Sequence, residues 1–186
     1  MFWDFKAKKY LSGSKGFSIV EMLIVIAIMG VVGGALVANY RGGQRDSNLR
    51  NSAEELVGVL RRTQSYALSG FQFEGLSPDN YRVNFNLANN TQYQTCANTA
   101  NCTANIVETV ILPDDVYVEK IILEKDAPVE TNVVDVIFPI PYADIQFASD
   151  NFSNEAISTL TITLKNFNDR ILQIKIDPIA GKFTIE

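Results

Sequence analysis

The feature that most constrains this chain is an apolar run near its N-terminus, "FSIVEMLIVIAIMGVVGGALVA", from Phe17 to Ala38. It holds one charged residue, Glu21. As a helix it would be about 33 Å long, close to the roughly 30 Å hydrocarbon core of a bilayer. A buried helix of a globular core is the alternative, but a run of this length without a polar face belongs in lipid. The sequence therefore predicts a membrane-spanning helix over residues 17–38.

Basic residues flank this run on both sides. Four lysines precede it and three arginines follow it: Lys6, Lys8, Lys9, Lys15, Arg41, Arg45 and Arg50. Four basic residues before the run against three after it decide the orientation only narrowly by the positive-inside rule. The free amino terminus favours an N-terminus in the cytoplasm, with the bulk of the chain outside. No A-x-A-like site follows the run, so we expect it to remain as an anchor after any processing.

Glu21 is an ionisable residue inside this otherwise apolar run, where a charge is costly. One explanation is that its side chain reaches back toward the membrane interface. The other is a cation partner. If the chain were cut between Gly16 and Phe17, the new α-amino group would lie about one helical turn from Glu21. Such an amine on a neighbouring copy could pair with the carboxylate within the membrane.

The stretch "KGFSIVEMLIVIAIMG" closely resembles the class III leader and N-terminal helix of type IV pilins and pseudopilins. In that family a membrane-embedded prepilin peptidase cuts after the glycine and methylates the new phenylalanine amine. The resemblance implies that Gly16 precedes the cut, that Phe17 is the methylated mature N-terminus, and that Glu21 is an assembly contact. Ala38 stands where many pilins carry a proline.

The resemblance also implies a role and partners. The chain would be a structural subunit and not an enzyme, with no cofactor or metal. It would pass once through the bacterial cytoplasmic membrane and then enter an extracellular or periplasmic filament. Its partners would be other pilin or pseudopilin subunits, prepilin peptidase, an assembly ATPase and a platform protein. Gly30 and Gly34 form a G-x-x-x-G pair suited to close helix contact.

An amphipathic pattern follows over residues 39–70. Apolar residues recur at mostly three- and four-residue steps, which predicts a helix that covers a sheet: Leu49, Ala53, Leu56, Val57, Leu60, Ala67 and Leu68. Gly70 is the expected end of this helix. The stretch "NSAEELVGVLRRTQSYALSG" additionally resembles the same region of minor pilins of the GspH/FimT type.

Residues 71–186 change to a two-residue period. "YRVNFNL", "LTITLKN" and "RILQIKI" alternate apolar and polar residues, and "IVETVIL", "VYVEKIIL" and "VVDVIF" are further strand candidates. The predicted fold is therefore α+β, with the long N-terminal helix packed on one antiparallel sheet domain, as in the pilin fold. The segment 88–105 is rich in Asn and Thr and is expected to form a loop. The expected domains are a leader over 1–16, a transmembrane helix over 17–38, an amphipathic helix over 39–70 and a β-rich domain over 71–186.

The chain contains no histidine and two cysteines, Cys96 and Cys102. The absence of histidine removes histidine-based catalysis and the commonest metal ligand. In an oxidising compartment the cysteines would close a short loop worth roughly 2 kcal/mol; two free thiols are the alternative. The segment "DNFSNE", Asp150 to Glu155, could bind Ca²⁺, but it lacks the spacing and the glycine of an EF-hand.

Two other functions fit a chain with such a helix. A filament-borne adhesin or DNA-uptake receptor is one of them, but residues 104–186 hold 6 basic and 14 acidic residues, which argues against nucleic acid. The other is a membrane-anchored enzyme. It would keep Met1 uncut and would not depend on Glu21, and no nucleophile, phosphate-binding or zinc motif supports it.

Overall fold

The computed structural model describes residues 16–75, 77–98, 102–124, 127–150, 152–153 and 157–186, with side chains undescribed over 37–41 and 152–153. The expected leader over 1–16 therefore lies outside the described residues except for Gly16. One helix, α1, is assigned over Ile19–Ser69. The chain divides into two compact units after Tyr40.

The part of α1 that belongs to the second unit buries a stripe of apolar side chains. Ala53, Leu56 and Leu60 are completely buried, as the amphipathic pattern predicts. Leu68 was expected on the same face, and this prediction is wrong, since its side chain is 59% exposed. It lies in the last turn, next to Gly70, whose φ of +60° ends the helix as expected.

The remainder of the second unit is built from β-strands. Those in the described residues are β1 Asn80–Asn86, β2 Gln92–Ala97, β3 Ile106–Ile111, β4 Val116–Glu124, β5 Pro128–Thr131, β6 Val133–Pro139, β7 Gln146–Ser149, β8 Phe152–Ser153, β9 Thr159–Asn166, β10 Ile171–Asp177 and β11 Lys182–Ile185. A short 3₁₀ helix, Leu87–Asn89, joins β1 to β2. Each strand candidate named from the sequence coincides with one of these strands to within about two residues, the uncertainty of any strand boundary.

The strands form two sheets in which every pairing is antiparallel, which confirms the expected antiparallel β-sheet domain. The first sheet has the order β3-β2-β1-β6-β7-β8 and the second has the order β11-β10-β9-β4-β5. Alternation shows that a strand has one buried face, but strands of both sheets share that pattern. Buried side chains of α1 and of both sheets form one apolar core, which confirms the α+β class.

The segment 88–105 is the second place where the structure differs from the expectation. It contains β2, which pairs with β1 and β3. Tyr93, Thr95 and Ala97 are buried at alternate positions. The glutamines on either side of Tyr93 obscured this strand, although Tyr and Thr favour strands. Cys96 of β2 is joined to Cys102 by a disulfide, the pairing expected from the sequence.

Candidate functional site at the N-terminal helix

The backbone around Gly16 precedes α1 and is not helical. Gly16, Phe17 and Ser18 have no regular secondary structure, and α1 begins at Ile19. Phe17 is 78% exposed, and a Cβ placed on Gly16 would meet nothing within 4 Å. On the side of the described residues, the Gly16–Phe17 bond is therefore exposed and lies outside the helix.

Ser18 caps the start of the helix. Its Oγ accepts a hydrogen bond from the backbone N of Val20 at 3.3 Å, and its carbonyl oxygen accepts one from the backbone N of Met22 at 3.2 Å. Sequence reasoning missed this residue. The spacing Ser18-x-x-Glu21 is that of a capping box, and it would have predicted where the helix begins.

Glu21 is the third residue of α1 and lies in its first turn. A negative charge at this position is favoured by the helix dipole, by about 0.3–1 kcal/mol at an exposed site. Its side chain is exposed, and within the described residues no cationic side chain lies within ion-pairing distance of the carboxylate. The geometry thus leaves Glu21 available to a group from outside the described chain, four residues after Phe17.

The first unit exposes a long apolar surface. The window Ile19–Leu36 has a mean hydropathy of 2.5, and none of it is buried inside the protein. Such a helix is about 27 Å long, so it is long and apolar enough to cross a membrane. A globular core does not cover these side chains, which fits a helix that is solvated by lipid or by other helices.

Gly30 and Gly34 lie within this apolar helix. A Cβ on either residue would meet nothing within 4 Å apart from the helix itself. Each glycine costs about 1 kcal/mol relative to alanine inside a helix, and the described residues give no packing reason for either. Glycines four residues apart lie on one face of the helix, and because they have no side chains the backbone of another helix can approach there.

The comparison with protein families bears on this same segment. Residues 11–37 match the family model described as the prokaryotic N-terminal methylation motif. The chain carries a class III signal. This signal is typical of type IV pilins and pseudopilins, which prepilin peptidase processes, and it confirms the resemblance seen in the sequence. No curated protein and no solved structure matches the chain.

The class III signal contains the predicted processing and assembly residues: Gly16, Phe17, Glu21, Gly30 and Gly34. Residues 11–15 of the match, Lys15 among them, lie outside the described residues. The signal implies prepilin peptidase and other pilins as partners, and together with the apolar helix it is consistent with a membrane-anchored pilin.

The second unit offers little chemistry to set beside this segment. Within the described residues, no group of three His, Cys, Asp or Glu side chains is placed to hold a metal ion. Most of the "DNFSNE" segment lies outside those residues. A shallow groove of about 340 Å³ runs between α1 and β11, lined in part by Glu54, Arg61 and Lys182.

Proposed function

We propose that this chain is a minor subunit, of the GspH/FimT type, of a type IV pilus or a type II secretion pseudopilus. The observation that carries the proposal is the class III signal over residues 11–37, which leads directly into an exposed apolar helix. The α+β architecture supports it, because a helix that continues into a β-rich unit suits a filament with helices inside and sheets outside.

Processing is the first step. Prepilin peptidase cuts after Gly16, removes residues 1–16 as a leader and methylates the α-amino group of Phe17. The exposed, non-helical backbone at this bond supports the assignment. Removal of the leader takes away a net charge of +3 and leaves the mature chain with −8.

Assembly is the second step, and Glu21 is its polar contact. An unpaired carboxylate in lipid is costly, and an amine from Phe17 of a neighbouring subunit offsets that cost only when the two subunits meet. Gly30 and Gly34 let helices approach closely in the filament. The exposed position of Glu21 supports this proposal.

The remaining partners follow from the same role. Before assembly the subunit spans the bacterial cytoplasmic membrane once, over residues 17–38, with its N-terminus in the cytoplasm. Residues 39–70 and 71–186 then form the amphipathic helix and the β-rich domain on the far side. An assembly ATPase and a platform protein move the subunit into a filament in the periplasm or outside the cell.

The test combines N-terminal mass analysis with a Glu21→Ala variant in the native host. The parent protein should begin at an N-methylated Phe17. The variant should be processed in the same way but should be depleted from sheared filaments. Glu55→Ala is the matched control, because Glu55 is an exposed acid on the same helix within the second unit. Filaments that keep residues 1–16, or that incorporate Glu21→Ala as well as the control, would contradict the proposal.

A further inference from the structure

Two basic side chains of the second unit have no acidic partner. Acidic residues outnumber basic residues in this unit, and most of its described Lys and Arg side chains form ion pairs, as Arg62 does with Glu108. Within the described residues, Arg61 and Lys182 form neither an ion pair nor a side-chain hydrogen bond. Both line the shallow groove between α1 and β11. The two basic side chains that this acidic unit leaves unpaired therefore border the same groove.

One side of this groove is the edge strand β11, which has unpaired backbone groups. Gln173 of β10 and Glu186 exchange two backbone hydrogen bonds, at 2.9 and 2.8 Å. Because bonded and non-bonded residue pairs alternate along two antiparallel strands, Phe183 and Ile185 occupy non-bonded positions opposite β10. Their N–H and C=O groups therefore point away from β10, toward the free edge of the sheet. Within the described residues, no other group forms a hydrogen bond with them.

Apolar residues also line the groove. Val57 of α1 and Phe183 and Ile185 of β11 belong to this lining. Phe183 and Ile185 lie on the same face of β11, because alternate residues of a strand point the same way, and that face packs against the apolar core. A strand placed beside β11 would therefore direct every second side chain toward an apolar surface.

The charges and the backbone groups together indicate the class of partner. A guanidinium such as that of Arg61 pairs well with a carboxylate or a phosphate, because each can accept two parallel hydrogen bonds. The outward carbonyls of β11 also require N–H donors, which a peptide backbone supplies and a phosphate does not. Glu54, the acidic residue of the lining, already accepts a hydrogen bond from Arg50 at 3.0 Å. Arg61 and Lys182 are thus left for an acid from another molecule.

We propose that this groove binds an extended, acidic segment of a partner protein, which adds to β11 as one more strand of the second sheet. The backbone of the segment pairs with the outward groups of Phe183 and Ile185, and its carboxylates pair with Arg61 and Lys182. The inference goes beyond the proposed function and does not depend on it, because the residues that line the groove all belong to the second unit.

Peptide binding to the full-length protein in detergent provides the test. The probe is a short fluorescent peptide in which glutamate and valine alternate and both ends are blocked, and the measurement is fluorescence anisotropy. One control peptide has lysine in place of glutamate. A second control keeps the glutamates but carries N-methyl groups on alternate backbone nitrogens, so that it cannot donate hydrogen bonds from one edge. The unmodified acidic peptide should bind, and both controls should bind much more weakly.

Variants of the protein show where the peptide binds. Arg61→Gln and Lys182→Gln should each raise the Kd about two- to fivefold, the loss expected for a solvent-exposed ion pair. The double variant should raise the Kd about tenfold. Arg62→Gln is the matched control, because Arg62 is the next residue of α1 and is also exposed, but it pairs with Glu108 and does not line the groove. This control should leave the Kd unchanged.

Several results would overturn the inference. The first is that the acidic peptide does not bind at concentrations up to about 1 mM. Equal binding of the lysine peptide would rule out recognition by charge, and equal binding of the N-methylated peptide would rule out strand addition. A Kd that rises as much in Arg62→Gln as in Arg61→Gln would place the peptide elsewhere. A Kd that increases with protein concentration would show that a second copy occupies the groove, in place of a partner protein.

Discussion

The buried carboxylate of Asp135 on β6 should contribute strongly to the stability of the second unit. Its side chain is 3% exposed; it accepts a bond from Arg82 Nη1 at 3.2 Å and one from Asn84 Nδ2 at 2.7 Å. Asp135→Ala removes the carboxylate that accepts from the guanidinium of Arg82 and from the side-chain amide of Asn84. Breaking a buried pair by removing one partner costs about 3–5 kcal/mol, and the 18% exposure of Arg82 places this case near the lower value.

The assay is urea unfolding of the full-length protein in detergent, followed by near-ultraviolet circular dichroism. With a slope of about 2 kcal/mol per molar urea, a loss of about 3 kcal/mol lowers the midpoint by about 1.5 M. Glu54→Ala is the control. Glu54 forms a solvent-exposed ion pair with Arg50 at 3.0 Å, and its side chain is 57% exposed. Loss of this pair should cost under about 0.5 kcal/mol.

A double variant decides whether the pair itself is responsible. In the Asp135→Ala background, Arg82→Ala should cost less than it does alone, because the uncompensated charge is already present. If Asp135→Ala behaves like the Glu54→Ala control, or if the two substitutions are simply additive, the reasoning about this buried pair is refuted.

Three further predictions concern single features. Burial raises the pKa of Tyr93, and the negative charges of Glu55 and Glu108 add to the shift. As pH rises, the tyrosine therefore loses its proton in the unfolded state first. The free energy of unfolding should then fall as pH rises above about 10, and it should fall less in Tyr93→Phe. Replacing both Cys96 and Cys102 by serine should cost roughly 2 kcal/mol in the urea assay, and no loss would contradict the loop-closure argument. Ser18→Ala should weaken the helix start by about 1 kcal/mol, seen as faster hydrogen exchange at Val20, with exchange in the helix centre unchanged.

Much of the fold was predictable because periodicity reports burial. The three-to-four-residue spacing identified the helix face, and two-residue alternation identified strands such as β1, β9 and β10. The pairing of strands into two sheets was not predictable, since which strands become neighbours depends on long-range contacts. Leu68 shows a second limit. A helical pattern does not indicate where the covering sheet ends, so the last apolar residue of the stripe was wrongly expected to be buried.

The N-terminal segment was easier to interpret than the β-rich unit. A charge in an apolar run and a glycine before a phenylalanine are local features, and residues 11–37 match a family model on the strength of that local pattern. The spacing Ser18-x-x-Glu21 is an equally local signal, and it indicates where the helix begins.

The burial of the disulfide has a consequence for handling the protein. Cys96 is completely buried and Cys102 is 3% exposed, so a small thiol reagent in solution cannot reach the sulfurs while the surrounding fold is closed. Mild reductants should leave this bond intact in the native protein and cleave it only after denaturation. Once formed, the crosslink would persist through changes in the redox state of the surroundings.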